Sequence, residues 1–302
     1  MIFQLYILCF EIIYCCVYLY LSQNTSEMKK FLVPTDFSDT SKNAARFAVQ
    51  ATAHIPGAVI ILYHVYDKIA GGSDGSPLTE TDNDKKIVLG SALENLRTEL
   101  NDLSSVTIEY EAEEGGSLID QIKKYVRHNA IDMIIMGITG ATRLEQIFMG
   151  SNSLNMAREA VCPVIIVPPD AQYKQIKNVL FASDFKNVDS TTPKAQLKAV
   201  LDLFNPDLHI VNVDDEHYVE LTEEFKVQRN KLEKMFANYN PQFYFIRFYD
   251  FLDAISSFTA DKNIDLILTV PRKHGFLTNL FKTSHTKKLA YHSHVPIVAV
   301  HE

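Results

Sequence analysis

The chain has 302 residues, with 29 Lys and Arg against 37 Asp and Glu and a formal net charge of −8, so it lacks the basic footprint from which nucleic-acid binding draws most of its affinity. Three of its four cysteines, Cys9, Cys15 and Cys16, fall early in the chain and leave only Cys162 beyond, which excludes a disulfide framework and fits a reducing cytoplasm. A length of this order suggests about two domains.

Residues 1–27 form an apolar extension rich in Ile, Leu, Tyr, Phe and Cys. Met1 to Leu21 has the length of a membrane span, yet Glu11 sits in its middle, no basic region precedes it, and no small-residue cleavage site is clear near Ser22 to Ser26. The expectation is a translation start placed ahead of the folded part, with a membrane anchor or a signal peptide as the alternatives.

After Met28, Lys29 to Ser38 reads as an opening strand and loop. Ser41 to His54 places Ala44, Ala45, Phe47, Ala48 and Ala51 mainly on one helical face, and Ile60 to Val65 reads as a second strand with His64 packed at its end. Ala70 to Asp84 carries Gly71, Gly72, Gly75, Ser76 and Pro77 without periodicity, so it is expected to be a surface excursion, or a lid if a ligand lies near. Leu118, Ile119, Ile122 and Val126 mark another amphipathic helix. The apolar run Ile131 to Met136 reads as a buried parallel strand, Ser151 to Arg158 as a helix opened by a Ser/Asn cap, and Cys162 to Pro168 as a closing strand. Cys162 is expected to behave as a small apolar residue.

The pattern then repeats. A shift of 148 residues carries Phe31 to Phe37 onto Val179 to Phe185 and His64-Val65 onto Asn212-Val213, and a shift of 133 carries Ile131 to Ile135 onto Ile264 to Leu268 and Pro163-Val164 onto Pro296-Ile297. The second copy is shorter by fifteen residues, most simply by lacking the loop at Ala70 to Asp84. Strand and helix in alternation imply right-handed crossovers, a parallel sheet covered on both faces in each copy, and ligands beyond the carboxyl ends of the strands. Asp36, Val65 and the segment after Met136 all follow strands on that edge and are expected to meet in one cleft.

That segment carries the most specific signal: Gly137, Gly140, Gly150 and Ser151 stand as G-x2-G-x9-G-S between a strand and a helix start. Unpaired N–H groups at the helix start point back toward the glycines, and such a terminus binds anions. No GK[ST] ends the loop and no G-x-G-x-x-G opens it, so it is neither a P-loop nor a dinucleotide fingerprint, and without the P-loop lysine and metal partner the motif points to binding over turnover. In the second copy Gly137, Gly140 and Gly150 become Val270, Lys273 and Thr283, while Ser151 becomes Ser284 and Asp36 becomes Asp184. β-Branched residues where the backbone must approach a phosphate would block it. One working site and one degenerate copy are expected, with Arg272, Lys273 and Lys282 leaving an anion-binding alternative there.

With this motif the chain resembles the universal stress protein family from Met28 to Glu302. The resemblance implies two tandem Rossmann-like domains of the adenine nucleotide alpha hydrolase type, residues 28–170 and 171–302, in a cytoplasmic, stress-response ATP- or AMP-binding protein of regulatory character. It implies that Asp36 and Val65 hold the nucleoside end, with Pro34 and Thr35 shaping that pocket. Met136, Gly137 and Gly140 would line the ribose and phosphate path, and Gly150, Ser151, Asn152 and Ser153 would hold the phosphates. Members commonly dimerise through their final strands, here Val164 to Val167 and Pro296 to Val300, so a tandem chain is expected to pair them internally as a pseudo-dimer, leaving a further homodimer open.

Two rival functions stand beside this one: a slow ATPase using Asp36 and Mg²⁺, and a nucleotide-independent interaction module whose glycines are only turns. No Ser/His/Asp constellation is present, so no catalytic residue is assigned. His292-Ser293-His294, near His285 and His301, lacks a carboxylate or cysteine at ligand spacing and reads as a helix-end pair, so no metal ligand is assigned. Phe243, Tyr244, Phe245 and Phe248 read as strand core and not as a base-stacking surface.

Overall fold

A computed structural model describes residues 29–67, 82–138, 151–159, 161–214, 222–247, 251–271 and 295–301. The expectations for residues 1–27, for Ala70 to Thr81, for Gly140 and Gly150, for Phe248, for Arg272, Lys273, Lys282, Thr283 and Ser284, and for His285, His292 and His294 fall outside the described residues. No helix among those described is long and apolar enough to cross a membrane.

The described elements of the first half are β1 (Lys29–Pro34), α1 (Asp39–Thr52), β2 (Ala58–Tyr66), α2 (Asp82–Asn101), β3 (Thr107–Glu114), α3 (Leu118–Asn129), β4 (Met133–Gly137), α4 (Ser151–Glu159) and β5 (Val164–Val167). The second half holds β6 (Asn178–Ala182), α5 (Val188–Thr191), α6 (Lys194–Phe204), β7 (Asp207–Asp214), α7 (Glu223–Met235), β8 (Gln242–Arg247), α8 (Phe251–Asp261), β9 (Leu266–Thr269) and β10 (Ile297–Ala299). All the described strands join one ten-stranded sheet in the order β3-β2-β1-β4-β5-β10-β9-β6-β7-β8. Read outward from the centre, both directions give the same sequence of strand roles. Every pairing is parallel except the central one, where Ile297, Val298 and Ala299 run antiparallel to Ile166, Ile165 and Val164.

Helices cover both faces. On one, the alanine-rich side of α1 (Ala44, Ala45, Ala48 and Ala51) lies flush on the sheet with Leu93, Leu96 and Leu100 of α2, and Leu197, Val200 and Leu201 of α6 do the same across the seam. On the other, Ile119, Ile122 and Val126 of α3, Met156 and Ala157 of α4, and Ile255 and Phe258 of α8 close the second core. Strands buried from both sides read as unbroken apolar runs, as Phe31 to Val33 and Ile60 to Leu62 do. Each fully buried Leu or Ile contributes about 1.5–3 kcal/mol.

Boundaries are set by particular groups. Asp132 accepts the Lys30 N–H on Oδ2 at 2.8 Å, while its own N–H reaches the Lys30 carbonyl, so the strand expected from Ile131 begins at Met133. Asp265 does the same at the start of β6, taking the N–H groups of Lys177 and Asn178 at 2.9 and 3.0 Å. α3 opens at Ser117, whose hydroxyl accepts the Asp120 N–H, and ends at Ala130 in the left-handed region with φ 50°. The loop expected to reach Asp84 gives way to helix at Asp82. Cys162 is half-buried, and burial beside Asp132 pushes its thiol up to about 12, so it remains a thiol at neutral pH.

Candidate nucleotide site

Because β1 lies between β2 and β4, the strand order reverses there, and the crevice beyond its carboxyl end is where an open parallel sheet receives ligands. β1 ends at the buried Pro34, and its ladder continues one residue further as the Thr35 N–H donates to the Tyr63 carbonyl at 2.9 Å. Two side-chain turns follow in succession. Thr35 Oγ1 accepts the Phe37 N–H at 3.1 Å, and Asp36 Oδ1 accepts both the Ser38 N–H at 3.1 Å and the Ser38 hydroxyl at 2.6 Å. Phe37 adopts φ 63° between them, and Ser38 then caps α1 through the Ser41 N–H.

β4 closes the other wall. A Cβ on Gly137 would stand 2.8 Å from the Thr40 carbonyl oxygen, so only glycine lets the end of β4 approach the first turn of α1. The hydroxyl of Ser153, in the first turn of α4, is 3% exposed and donates to the Gly137 carbonyl at 2.8 Å. The helix start and the strand end are thereby tied directly.

The described residues among the expected site fall on this edge of the sheet, with Gly140 and Gly150 outside the described residues. Thr35 is buried and Asp36 exposed; Val65 is half-buried near the end of β2, with its side chain on the opposite face of the sheet from that of His64. Met136 is buried, Gly137 meets Thr40, Ser153 holds the Gly137 carbonyl, and Asn152 is exposed on α4. Ser151 opens α4, with its side chain outside the described residues. The sequence analysis missed Thr40, and it read His64 only as packed. His64 is half-buried, 2.7 Å from the Thr35 carbonyl through Nδ1, with its ring 5.0 Å from that of Phe37. Its signal was present in the repeat, since the matching strand also places a polar residue, Asn212, at that point.

The second half repeats the turn. Ser183 Oγ accepts the Phe185 N–H at 3.2 Å, Asp184 Oδ1 accepts the Lys186 N–H at 3.1 Å, and Phe185 has φ 53°. What surrounds it differs. Phe185 is 2% exposed, stacked on Phe225 at 4.9 Å and flanked by Phe245 and Phe243 at 5.6 and 6.1 Å. Phe245 pairs with Asn212, whereas its counterpart opposite His64 is Ala112. Cavities of about 510 and 550 Å³ flank the central seam, one at the amino ends of β9 and β10 and lined by Phe47, Thr259 and Pro296, the other at the amino ends of β1 and β4 and lined by Lys29, His54 and Asp202. The second lies at the sheet edge away from the Asp36 turn, and neither is lined by Asp36 or Gly137. Among the described residues, no group of three or more His, Cys, Asp or Glu is placed to hold a metal ion.

A model of the universal stress protein family matches residues 27–168. A universal stress protein of Thermus aquaticus is 30% identical over 139 residues, which cover 46% of this chain and 98% of that protein. This chain belongs to the universal stress protein family. The universal stress protein MJ0577 of Methanocaldococcus jannaschii is 28% identical over 162 residues, covering 46% of this chain and 94% of its own length. The crystal structure of a universal stress protein from Archaeoglobus fulgidus matches with a TM-score of 0.63 at 19% identity, over 90% of this chain and 96% of that one. The likeness of fold to a universal stress protein therefore extends well beyond the stretch that the family model matches.

Proposed function

We propose that residues 28–170 form a domain that binds an adenine nucleotide, ATP or AMP, and that residues 171–302 form a second domain whose site has degenerated, in a protein that acts as a stress-response switch. The observation that supports this reading is the close approach of Gly137 to the Thr40 carbonyl, which brings the end of β4 against the first turn of α1 at the edge where the strand order reverses. In this reading Asp36 and Val65 take the nucleoside, with Pro34 and Thr35 behind them. Met136, Gly137 and Gly140 border the ribose and phosphates, and Gly150, Ser151, Asn152 and Ser153 supply N–H groups and hydroxyls to the phosphates. The Ser153 hydroxyl donates its proton to the Gly137 carbonyl, so the group Ser153 offers a phosphate is its backbone N–H.

Isothermal titration with ATP and AMP tests the proposal. One nucleotide per chain is expected, and Gly150→Val should weaken it by more than about tenfold, or about 1.4 kcal/mol. Thr283→Ala should leave affinity nearly unchanged. Two equivalent sites, or none, would overturn the reading.

A further inference from the structure

β2 grips the Thr35 residue on both sides. Its N–H donates to the Tyr63 carbonyl at 2.9 Å, and its carbonyl lies 2.7 Å from His64 Nδ1. A carbonyl only accepts, so Nδ1 carries a proton and is the donor. Beyond this peptide the chain enters the left-handed region at Phe37, a conformation that costs a non-glycine residue free energy and persists only where the surroundings over-determine it. The His64 ring, tilted by 40° against that of Phe37, supports the same residue from the side.

The second half supplies an independent observation. Asn212 Nδ2 donates to the Ser183 carbonyl at 3.0 Å, and that turn too passes through the left-handed region at Phe185. An imidazole and a carboxamide differ in shape, aromaticity and charge. What they share here is one N–H aimed at the same backbone carbonyl of the same turn.

We infer that His64 is a positioning residue of the nucleotide site: its Nδ1–H fixes the Thr35 carbonyl, and with it the plane of the Thr35–Asp36 peptide, so that Asp36 and the turn at Phe37 are preset before a ligand arrives. The inference rests on reading the first half as a nucleotide site. His64 itself acts through the peptide and need not touch the nucleotide.

The test compares His64→Ala with His64→Asn in the full chain, by ATP titration and by amide hydrogen exchange without nucleotide. The alanine variant should lose about fivefold or more in ATP affinity, while the asparagine variant, which restores the donor used by Asn212, should stay within about twofold of the unmodified chain. The Phe37 and Ser38 amides should exchange about tenfold faster in the alanine variant and recover in the asparagine variant, with Phe185 and Lys186 unchanged in both. Should alanine unfold the protein, His64→Leu, which keeps the volume and lacks the donor, replaces it. An alanine or leucine variant that binds as tightly as the unmodified chain, or an asparagine variant as weak as either, overturns the inference. If the unmodified chain binds neither ATP nor AMP, the proposed function fails separately; the exchange measurement then decides alone, and undisturbed Phe37 and Ser38 amides without the donor overturn the positioning role.

Discussion

Phe37 and Phe185 occupy the same turn with the same unusual backbone, yet one is half-buried beside a histidine and the other is sealed under three phenylalanines. Beside the Asp36 turn the first half places His64 and Ala112, and at the matching points the second places Asn212 and the apolar bulk of Phe245. The backbone device is thus common to both halves, and the difference between them lies in side chains placed on neighbouring elements, Phe225 on α7 and Phe245 on β8 against Ala112 on β3. A turn held by its own Ser or Thr hydroxyl and Asp carboxylate survives because its hydrogen bonds are local and do not depend on any ligand.

The comparison is broken most forcefully at the two phenylalanines. Phe185→Ala should cost about 3–5 kcal/mol, as expected for emptying a packed aromatic site, whereas Phe37→Ala should cost about 1–2 kcal/mol because its ring is only partly enclosed. Urea denaturation of the two variants decides, and equal losses would show that the surroundings of the turns do not differ in energy. A second contrast sets Gly137 against Gly90. Gly137→Ala should cost about 1–3 kcal/mol, since its Cβ would meet the Thr40 carbonyl at 2.8 Å. Gly90→Ala, in α2 with nothing within 4 Å, should stabilise by about 0.5–1 kcal/mol. Thermal unfolding reads both signs.

The smallest effect concerns pH and belongs to the second half. Burial holds the His209 ring below its ordinary value of 6.5, with Lys262 adding to the effect and Asp207 opposing it. A folded state that prefers the neutral ring binds fewer protons than the unfolded chain in the window below 6.5. The stability His209 supplies is therefore complete above that value and drains as pH falls toward the depressed folded value. His301, which follows β10 near the last turn of α4, is lowered by burial in the same way. His209→Phe should flatten the fall in stability below pH 6.5 and leave the part due to His301; an unchanged slope would remove His209 from the account.

Much of this was legible in the sequence. The repeat located Asp184 under Asp36, and with them two turns whose side-chain acceptors take the same two backbone N–H groups, because Ser, Thr and Asp state local geometry in their own side chains. The internal pairing of the final strands was likewise readable, since each half ended in a short apolar strand that had to find a neighbour. His64 was not read, because a lone histidine in an apolar strand is indistinguishable from a packed one until its acceptor is known, and that acceptor is a backbone atom 29 residues away. Gly137 was read as part of a phosphate loop, while its contact with Thr40 arises from the approach of α1 to β4, which no spacing rule encodes. Phe243 and Phe245 were read as strand core, but their convergence with Phe225 on Phe185 was hidden for the same reason.

The antiparallel seam between β5 and β10 has a consequence for divergence. An oligomer of identical subunits must accept every substitution at each of its sites at once, so a change that suits one surface is imposed on all. Here both partners of the seam are encoded in a single chain, and Gly137 stands in one half while Val270 stands at the matching position of the other. With the two halves of the sheet joined through three residues of each strand, a substitution in one half need not be matched in the other, an inequality that symmetric assembly forbids.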